Sequence, residues 1–465
     1  MKKMAVWSIV ALMLALTACG SNNSNSDASS GNPDSGTSSD SSSKAPEKSK
    51  DPVTVRITLS KNEVNQDLLA EFETEHPGIK IAFEELDNTK LAAQLATNSA
   101  PDIIATNGVF GLPSYVTRGI ALDLTDRIKN STAIDMNDLM PVVDVYRFDG
   151  VKTGSGPYYG LPKDWSNDYA LFYNKKAFEA AGVEVPDATK PLTWPEVMDL
   201  AKRLTIKKDG KIVQYGLSAT EWGKTEPNFN QMMQYLASAG AQISNADNTK
   251  VDFNVQAVKD YLAMWIDATK ENIGPNSVNG DQTSGGDLFL QNKSALLIDG
   301  FWYGGAIRGN ADAAAHIDDF GMLPTPLAPG GERVAATGSA TGAIINKNSQ
   351  HIDEAWTFFE WFFSGKSADD RAKSGWGLPI YKSKMALLPQ NTEFDKRLYA
   401  VLMDELNYAG KFLPINPYLS GGGWDIFDKY AQPLYFGKSS IDEAVAGMTK
   451  DANIAIEEAV NSMKK

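Results

Sequence analysis

The alternation of apolar and polar positions at residues 53–59 predicts a β-strand, because successive side chains of a strand point to opposite faces. Helix and strand patterns then alternate: a helix capped by Asn62 and ending near residue 75, a strand at 79–83, a helical stripe at 91–96 and a buried strand at 101–105. This order predicts a parallel sheet whose ligands bind beyond the carboxyl ends of its strands. We therefore expect residues 60–63, with Asn62 and Glu63, and residues 106–110 on the ligand side.

A second α/β unit follows further along the chain. Its pattern predicts strands at 169–173, 214–219 and 295–298. It also predicts helices at 175–181, from Trp194 to about 204, at 255–265, at 352–363 and at 441–455, and one further helix that follows the loop 221–229 and ends at about 239. Thr193 and Glu196 form a capping box, in which each side chain satisfies a free backbone N–H.

The stretch 157–178 lies between the two units and is rich in glycine and proline at its start. One interpretation is a crossover between two lobes, with Asp164, Trp165, Asn167 and Asp168 near the seam. The other is an ordinary strand–helix connection inside one large domain. The pattern alone leaves both open.

The first 18 residues have the features of a secretory signal, with two lysines followed by an apolar run too short to span a membrane as a helix. Cys19, the only cysteine of the chain, follows Leu-Thr-Ala, which resembles the bacterial lipobox and implies lipidation. The alternative is a chance cysteine beside a cleavage site. Residues 20–52 are polar and low in complexity, and we expect a disordered tether there.

Composition and charge narrow the possible functions. With 465 residues the chain is long enough for two or three domains. Its formal net charge of −14 argues against a nucleic-acid partner, which requires clustered Lys and Arg. A single cysteine excludes an internal disulfide and a zinc site built on cysteines.

The residues also allow three function classes to be weighed. The chain has no Gly-x-Ser-x-Gly elbow and no His-Glu-x-x-His helix, but its 58 acidic residues leave a glycoside hydrolase pair possible. Ten tryptophans suit a sugar receptor, since flat aromatic rings stack on sugar faces. Acidic residues near the seam would suit a cationic or other non-sugar solute. The tryptophans favour a sugar over a cation, and we expect neither a cofactor nor a metal.

Several motifs, in order, resemble the family 1 extracellular solute-binding proteins, the sugar-capturing lipoproteins of ABC importers. They are the segments 72–78, 100–104, 159–162, 171–175, 181–182, 193–196, 292–302 and 338–346, ahead of Ala355 and Trp356. The resemblance covers nearly all of residues 53–465. It implies an α/β, two-lobe fold like that of periplasmic binding proteins, with hinge crossovers and the ligand in the cleft between the lobes. It further implies that lobe 1 comprises 53–160 and 325–376, and lobe 2 comprises 161–324 and 377–465.

Carried over residue by residue, the resemblance and the strand ends predict a set of ligand-binding positions. They are Asn62, Glu63, Asn107, Gly108, Asp164, Trp165, Asn167, Asp168, Trp222, Asp299, Trp302, Ser339, Trp376 and Trp424. Trp302 follows a strand and an Asp-Gly turn, and we expect Gly304 and Gly305 beside it to let a ligand approach closely.

The function implied is capture of a mono- or oligosaccharide and its delivery to the transmembrane subunits of an ABC permease. The protein is expected to act as a monomer, held to the outer face of the cell membrane through the lipid on Cys19, on the periplasmic side if the host has two membranes.

Overall fold

The computed structural model describes residues 51–59, 61, 64–219, 225–409, 412–419 and 422–462. The predicted signal, Cys19 and nearly all of the predicted tether therefore lie outside the described residues, as do Asn62, Glu63 and Trp222. Residues 51–465 form one compact unit. No helix within the described ranges is both long enough and apolar enough to span a bilayer.

Within the described ranges, the strands build two five-stranded sheets and one small hairpin. Their bounds are β1 Val53–Leu59, β2 Ile79–Glu85, β3 Ile103–Asn107, β4 Arg147–Phe148, β5 Thr153–Tyr158, β6 Gly160–Pro162, β7 Ala170–Asn174, β8 Ile206–Lys208, β9 Lys211–Ala219, β10 Ser294–Asp299, β11 Phe320–Leu323 and β12 Thr341–Ile345.

The helices surround these sheets. Their bounds are α1 Gln66–Glu75, α2 Asn88–Ala96, α3 Gly108–Thr117, α4 Thr125–Asn130, α5 Lys175–Ala181, α6 Trp194–Leu204, α7 Phe229–Ser238, α8 Gln256–Glu271, α9 Gly285–Leu290, α10 Tyr303–Gly309, α11 Ala311–Ala314, α12 Ile352–Phe363, α13 Gly365–Ser374, α14 Glu393–Glu405, α15 Gly423–Tyr435 and α16 Ile441–Ser462. Short 3₁₀ turns occur at Pro141–Tyr146, Ile317–Asp319, Lys382–Leu387 and Leu406–Tyr408.

The first sheet has the order β2-β1-β3-β12-β6. Strands β2 and β3 pair parallel to β1, as the alternation of strands and helices predicts. Strand β12 returns from late in the chain and pairs antiparallel with β3 and β6. The second sheet has the order β11-β7-β10-β9-β8, with β10 parallel to β9 and antiparallel to β7. The predicted α/β fold class is confirmed.

Buried apolar side chains form two clusters, and β7 contributes to both. Phe172 packs into the cluster that also fills the first sheet, whereas Leu171 and Tyr173 pack into the cluster on the opposite face of the second sheet. Because successive side chains alternate between faces, a strand buried on both sides reads as an unbroken apolar run.

Local chemistry explains where several helices begin and end. Glu196 accepts a hydrogen bond from the Thr193 N–H at 2.7 Å, which completes the predicted capping box of α6.

The prediction for α1 was wrong at its start. The helix is capped by Asn65, whose side chain accepts from the N–H of Leu68 at 2.8 Å, and not by Asn62. Both asparagines suit the role, and only the path of the chain selects one.

Three segments connect the elements of the first sheet with those of the second: residues 163–169, residues 324–340 and residues 375–392. We call them the first, second and third connecting segments. Strand β6, which precedes the first segment, still pairs in the first sheet. The division into lobes at 160/161, 324/325 and 376/377 stays a prediction.

Candidate ligand-binding site

A cavity of about 370 Å³ lies where the carboxyl ends of β3, β9 and β10 meet the connecting segments. It is lined by Asn107, Phe110, Lys163, Asp164, Trp165, Ser166, Asp168, Tyr169, Ala219, Glu226, Asn228, Asn230, Gln231, Trp265, Ile298, Asp299, Gly300, Trp302, Ser339, Ala340, Thr341, Trp376, Gly377 and Trp424. Strand ends in an α/β sheet present backbone groups and loop side chains together, and for that reason such edges hold ligands.

The connecting segments are hydrogen-bonded to one another beside the cavity. Trp165 and Leu378 exchange two backbone hydrogen bonds of 3.1 and 2.8 Å, which join the first segment to the third. The Asp168 N–H donates to the carbonyl of Ala336 at 2.8 Å, which joins the first to the second. The cavity is therefore lined in part by Trp165 and Asp168, which belong to the segments that connect the two sheets.

Tryptophans form much of the apolar lining. The rings of Trp302 and Trp376 lie 5.9 Å apart between centroids at an interplanar angle of 36°, and Trp376 is 43% exposed. Trp424 packs beside Phe229 at 6.4 Å. These rings present flat faces that the protein interior does not fully cover.

The expectation for the glycines after Trp302 was wrong. A side chain at Gly305 would meet the ring of Trp376 at 2.7 Å, and one at Gly304 would meet Leu398 at 2.8 Å. These glycines make room for Trp376 and for α14, and not for a ligand.

Carboxylates of the first connecting segment accept hydrogen bonds from hydroxyls of β12 and of the second segment on one wall. Asp164 is paired with the ammonium of Lys163 and accepts a hydrogen bond from Thr341 Oγ1 at 2.9 Å. Asp168 accepts a hydrogen bond from the hydroxyl of Ser339. Each carboxylate is thus oriented by a hydroxyl that is remote in sequence, as in a preformed polar site.

The opposite wall comes from the start of α7 and the loop before it. Asn228 caps this helix, because its side-chain oxygen accepts from the N–H groups of Asn230 at 2.9 Å and Gln231 at 3.2 Å. Glu226 accepts from the backbone N–H and the hydroxyl of Ser277. The wall therefore presents one carboxylate and several amide groups.

Tyr169 lies at the junction of the first segment and β7 with a φ of 64°, a conformation that costs energy in a residue with a side chain. Burial, reinforced by the charge of Asp168, raises the pKa of its phenol well above the ordinary range, so the phenol stays protonated. Gly300 lies close by, and a side chain there would meet Ser166 Oγ at 2.5 Å and Asp168 Oδ1 at 2.8 Å. The close packing at this point requires glycine.

The structure brings most of the described candidates from the sequence into this one cavity. Asn107, Asp164, Trp165, Asp168, Asp299, Trp302, Ser339, Trp376 and Trp424 all line it. Trp165 is nearly buried, and its indole N–H donates to the carbonyl of Pro379 at 2.9 Å. Its edge contributes to the wall while its polar atom holds the third segment.

Two candidates lie outside the lining. Asn167 is buried, its amide donates to Glu405 at 3.1 Å and its oxygen accepts from Thr325 at 3.3 Å. Gly108 is buried under Val145, and its N–H donates to the carbonyl of Ala340 at 3.0 Å. Both support the wall from behind it.

Sequence reasoning missed several lining residues, among them Lys163, Ser166, Tyr169, Glu226, Asn228, Asn230, Gln231, Trp265 and Thr341. Lys163 and Ser166 are neighbours of chosen positions, so the signal was present in the stretch already singled out. Trp265 belongs to the apolar stripe of α8, and its position in that stripe indicates only burial.

Comparison with known proteins identifies the class. Residues 60–368 match the family described as bacterial extracellular solute-binding protein. A binding protein of Brucella abortus is 25% identical over 80% of this chain and 84% of its own length. The sn-glycerol-3-phosphate-binding periplasmic protein UgpB of Rhizobium meliloti is 22% identical over 65% of this chain and 68% of its own.

Two solved structures share the fold. An ABC substrate-binding protein of Listeria monocytogenes, in complex with cycloalternan, aligns with a TM-score of 0.71 and 23% identity, covering 88% of this chain and 100% of the other. The maltose/maltodextrin-binding domain MalE of Bdellovibrio bacteriovorus, bound to maltotriose, aligns with a TM-score of 0.67 and 20% identity over the same shares. The chain belongs to the bacterial extracellular solute-binding proteins, and its fold is the two-lobe fold of these sugar receptors.

Proposed function

We propose that this protein is the extracellular receptor of an ABC importer and that it captures an oligosaccharide in the cavity between its two sheets. The observation that carries the proposal is the lining, which combines exposed tryptophan faces with carboxylates and amides held by neighbouring groups. Sugars have apolar ring faces and polar rims, and such a lining matches both. The ligands of the Listeria and Bdellovibrio proteins support the same class.

The receptor delivers its ligand to the transmembrane subunits of the importer and works as a monomer. A lipid on Cys19 holds it to the outer face of the membrane, with the polar residues 20–52 as the tether. Cys19→Ala should abolish lipidation, and the variant should leave the detergent phase in a phase-partition assay. A processed variant that remains there in full amount would contradict the anchor.

The receptor binds without catalysis, so a bound sugar should be recovered unchanged. The test uses the full chain, purified in a detergent without a sugar headgroup, and follows tryptophan fluorescence during titration with malto-, cello- and galacto-oligosaccharides. Chromatography of the same samples detects products. Binding without product supports the receptor, whereas shortened sugars would establish a glycoside hydrolase.

The same titration includes spermidine and a mixed tripeptide library, because the acidic lining could also suit a non-sugar solute. Saturable binding of these solutes, with none of the sugars, would contradict the sugar assignment. The matched control is Trp302→Ala, which lacks one ring of the cavity wall and should show a reduced response to the sugar that binds.

A further inference from the structure

The ring of Trp376 lies against the backbone of α10 at Gly305. A β-carbon at residue 305 would lie 2.7 Å from Cε3 of Trp376, 3.1 Å from its Cα and 3.3 Å from its Cδ2. Carbon atoms that are not bonded pack at about 3.5–4.0 Å, so a larger residue would push this ring and its backbone away from the helix. The absence of a side chain at Gly305 therefore sets the position of the ring.

The peptide group that joins Gly375 to Trp376 is held at both of its polar atoms. Its carbonyl oxygen accepts a hydrogen bond from Nη1 of Arg308 at 3.1 Å, and its N–H donates to Oγ of Ser374 at 3.2 Å. Arg308 follows Gly305 by three residues on α10, so one face of this helix meets both the ring and the peptide. The backbone of Trp376 is thus fixed as well as its side chain.

Arg308 is itself anchored to α14. Its Nε donates to Oδ1 of Asp395 at 2.8 Å, and the side chain of Asp395 is almost fully buried. The other oxygen of Asp395 accepts from the N–H of Thr392 at 3.1 Å, in the capping box of α14. A charge-assisted hydrogen bond to a carboxylate held on both oxygens leaves the guanidinium little freedom. Arg308 therefore holds the carbonyl of Gly375 in one place.

Trp302 and Trp376 border the same cavity but differ in exposure. Trp302 lies close behind β10 and is partly buried, whereas Trp376 is 43% exposed. Their rings are inclined to one another at 36°, with centroids 5.9 Å apart. A single flat sugar ring cannot lie against two planes at this angle, while successive sugars of a chain can each lie against one. The pair therefore favours a ligand with more than one sugar ring.

We propose that Gly305 and Arg308 are positioning residues of the binding site, which seat the Trp376 ring beside Trp302 and thereby make the receptor prefer oligosaccharides to monosaccharides. This inference rests on the proposed function and deepens it, because it names the residues that set the preferred chain length of the ligand. Neither residue belongs to the described lining of the cavity, so both act through Trp376.

The position of the ring is tested without a ligand. The full chain is labelled with 5-fluorotryptophan, and Trp376→Phe identifies the fluorine signal of Trp376. Gly305→Ala should shift this signal, because the added methyl group displaces the ring. Gly309→Ala is the matched control, since it adds the same group to the same helix at a position that faces open space, and it should leave the signal in place.

A second variant tests the peptide contact. Arg308→Lys keeps a cation for Asp395 but lacks the planar fork that bonds Asp395 and the Gly375 carbonyl together. It should shift the same fluorine signal, also if Gly305→Ala folds poorly. Urea unfolding checks the fold of each variant. Gly305→Ala should pass this check, because alanine favours a helix more than glycine does.

Affinity is measured by isothermal titration with glucose, galactose and the malto-, cello- and galacto-oligosaccharides up to the tetrasaccharide. In the series that binds, Gly305→Ala should weaken binding of the oligosaccharides roughly fivefold to tenfold, the order expected for one displaced aromatic contact, and leave the monosaccharide within about twofold. In a Trp376→Ala background, Gly305→Ala should have no further effect, because the ring through which it acts is gone.

The outcomes separate the inference from the proposed function. An unshifted Trp376 signal in both Gly305→Ala and Arg308→Lys would overturn the positioning role, whether or not a sugar binds. Equal weakening of monosaccharide and oligosaccharide, or an effect of Gly305→Ala that persists without Trp376, would also overturn the inference and leave the sugar receptor standing. A shifted signal in a parent chain that binds no sugar would overturn the proposed function and the chain-length preference, and would support only the seat of the ring.

Discussion

At the scale of single residues, Trp302 and Trp194 differ in exposure, and exposure separates a candidate ligand contact from a structural side chain. Trp302 is partly buried at the cavity wall beside Trp376. Trp194, the first residue of α6, is completely buried and lies 6.2 Å from Trp265 between ring centroids. A buried aromatic ring contributes mainly to folding, and a ring at a cavity wall contributes mainly to binding.

Trp302→Ala should therefore keep most of the thermal stability and lose about 2 kcal/mol of binding free energy, roughly thirty-fold in sugar affinity. Trp194→Ala is the matched control and should cost about 3–5 kcal/mol of the free energy of unfolding. Urea unfolding and fluorescence titration measure the two effects. If Trp302→Ala unfolds as readily as Trp194→Ala and its folded fraction binds sugar normally, the site is misplaced.

Glu84 on β2 ties the edge of the first sheet together. Partial burial acts to raise its pKa, but hydrogen bonds from Lys90, Arg56 and Gln94 outweigh burial and lower the pKa to about 2. Because the pKa is lower in the folded state, the ionised carboxylate stabilises the fold above about pH 4.5. That stability is lost as the pH falls from about 4.5 to about 2.

Glu84→Gln should consequently be less stable than the parent at pH 7, and the difference should shrink through this acidic window. Urea unfolding at pH 7, 4 and 3 measures it. Glu184→Gln, at an exposed position, serves as the control and should match the parent at each pH. If the difference in free energy of unfolding between Glu84→Gln and the parent stays constant from pH 7 to pH 3, the assigned ionisation of Glu84 is contradicted.

At the scale of elements, a buried ion pair fixes the second connecting segment to α14. Arg333 donates to Glu405 at 3.0 Å, and the side chain of Glu405 is fully buried. Glu405 also accepts from Asn167, next to Asp168 in the cavity wall. Glu405 therefore links the first connecting segment, through Asn167, and the second, through Arg333, to α14 behind the cavity wall.

Arg333→Met should cost about 3–5 kcal/mol of the free energy of unfolding, because it leaves the Glu405 carboxylate buried without its cation. The double variant Arg333→Met/Glu405→Leu should recover part of that loss, since no uncompensated charge remains. Denaturant unfolding of both variants completes the comparison. A double variant that is no more stable than the single one would show that the contacts with Asp404 and Tyr408 matter more.

At the scale of the whole molecule, the connecting segments both line the cavity and join the two sheets. A ligand that bridges the walls gains contacts on both sides, so binding favours an arrangement with the walls closer together. Hinge closure of this kind concentrates change in a few linking residues and leaves each sheet intact.

We expect distances between the two halves to shorten on ligand binding. Spin labels at Lys129→Cys on α4 and Lys207→Cys on β8, in a Cys19→Ala background, report this distance by pulsed dipolar spectroscopy; both positions are exposed. A pair at Lys207→Cys and Glu271→Cys, both beside the second sheet, should stay unchanged. Distances that remain equal at sugar saturation would exclude closure while leaving binding intact.

Much of the fold was predictable from local patterns. The period-two alternation of 53–59, the run of four apolar or aromatic side chains in β7 and the capping box at Thr193 each express a local rule, and the structure confirms the elements they predict. The bounds of α5 and α12 also match the predicted bounds, since Gly182 and Ser364 end the two helices. Such features need only neighbours in sequence.

The cavity depended on contacts that are remote in sequence. Asn167 and Asp168 are adjacent and equally polar, yet the backbone turns only Asp168 toward the cavity while Asn167 points to Glu405. Trp265 follows a core pattern and still lines the site. The sequence by itself determined the elements with clear periodicity and the α/β class, and it singled out the stretch around 157–178, which supplies several lining residues. Only the tertiary structure decided which side chains meet in the cavity, because three connecting segments that are far apart in the chain converge at it. In addition, a shift of one residue along a strand moves a side chain to the opposite face.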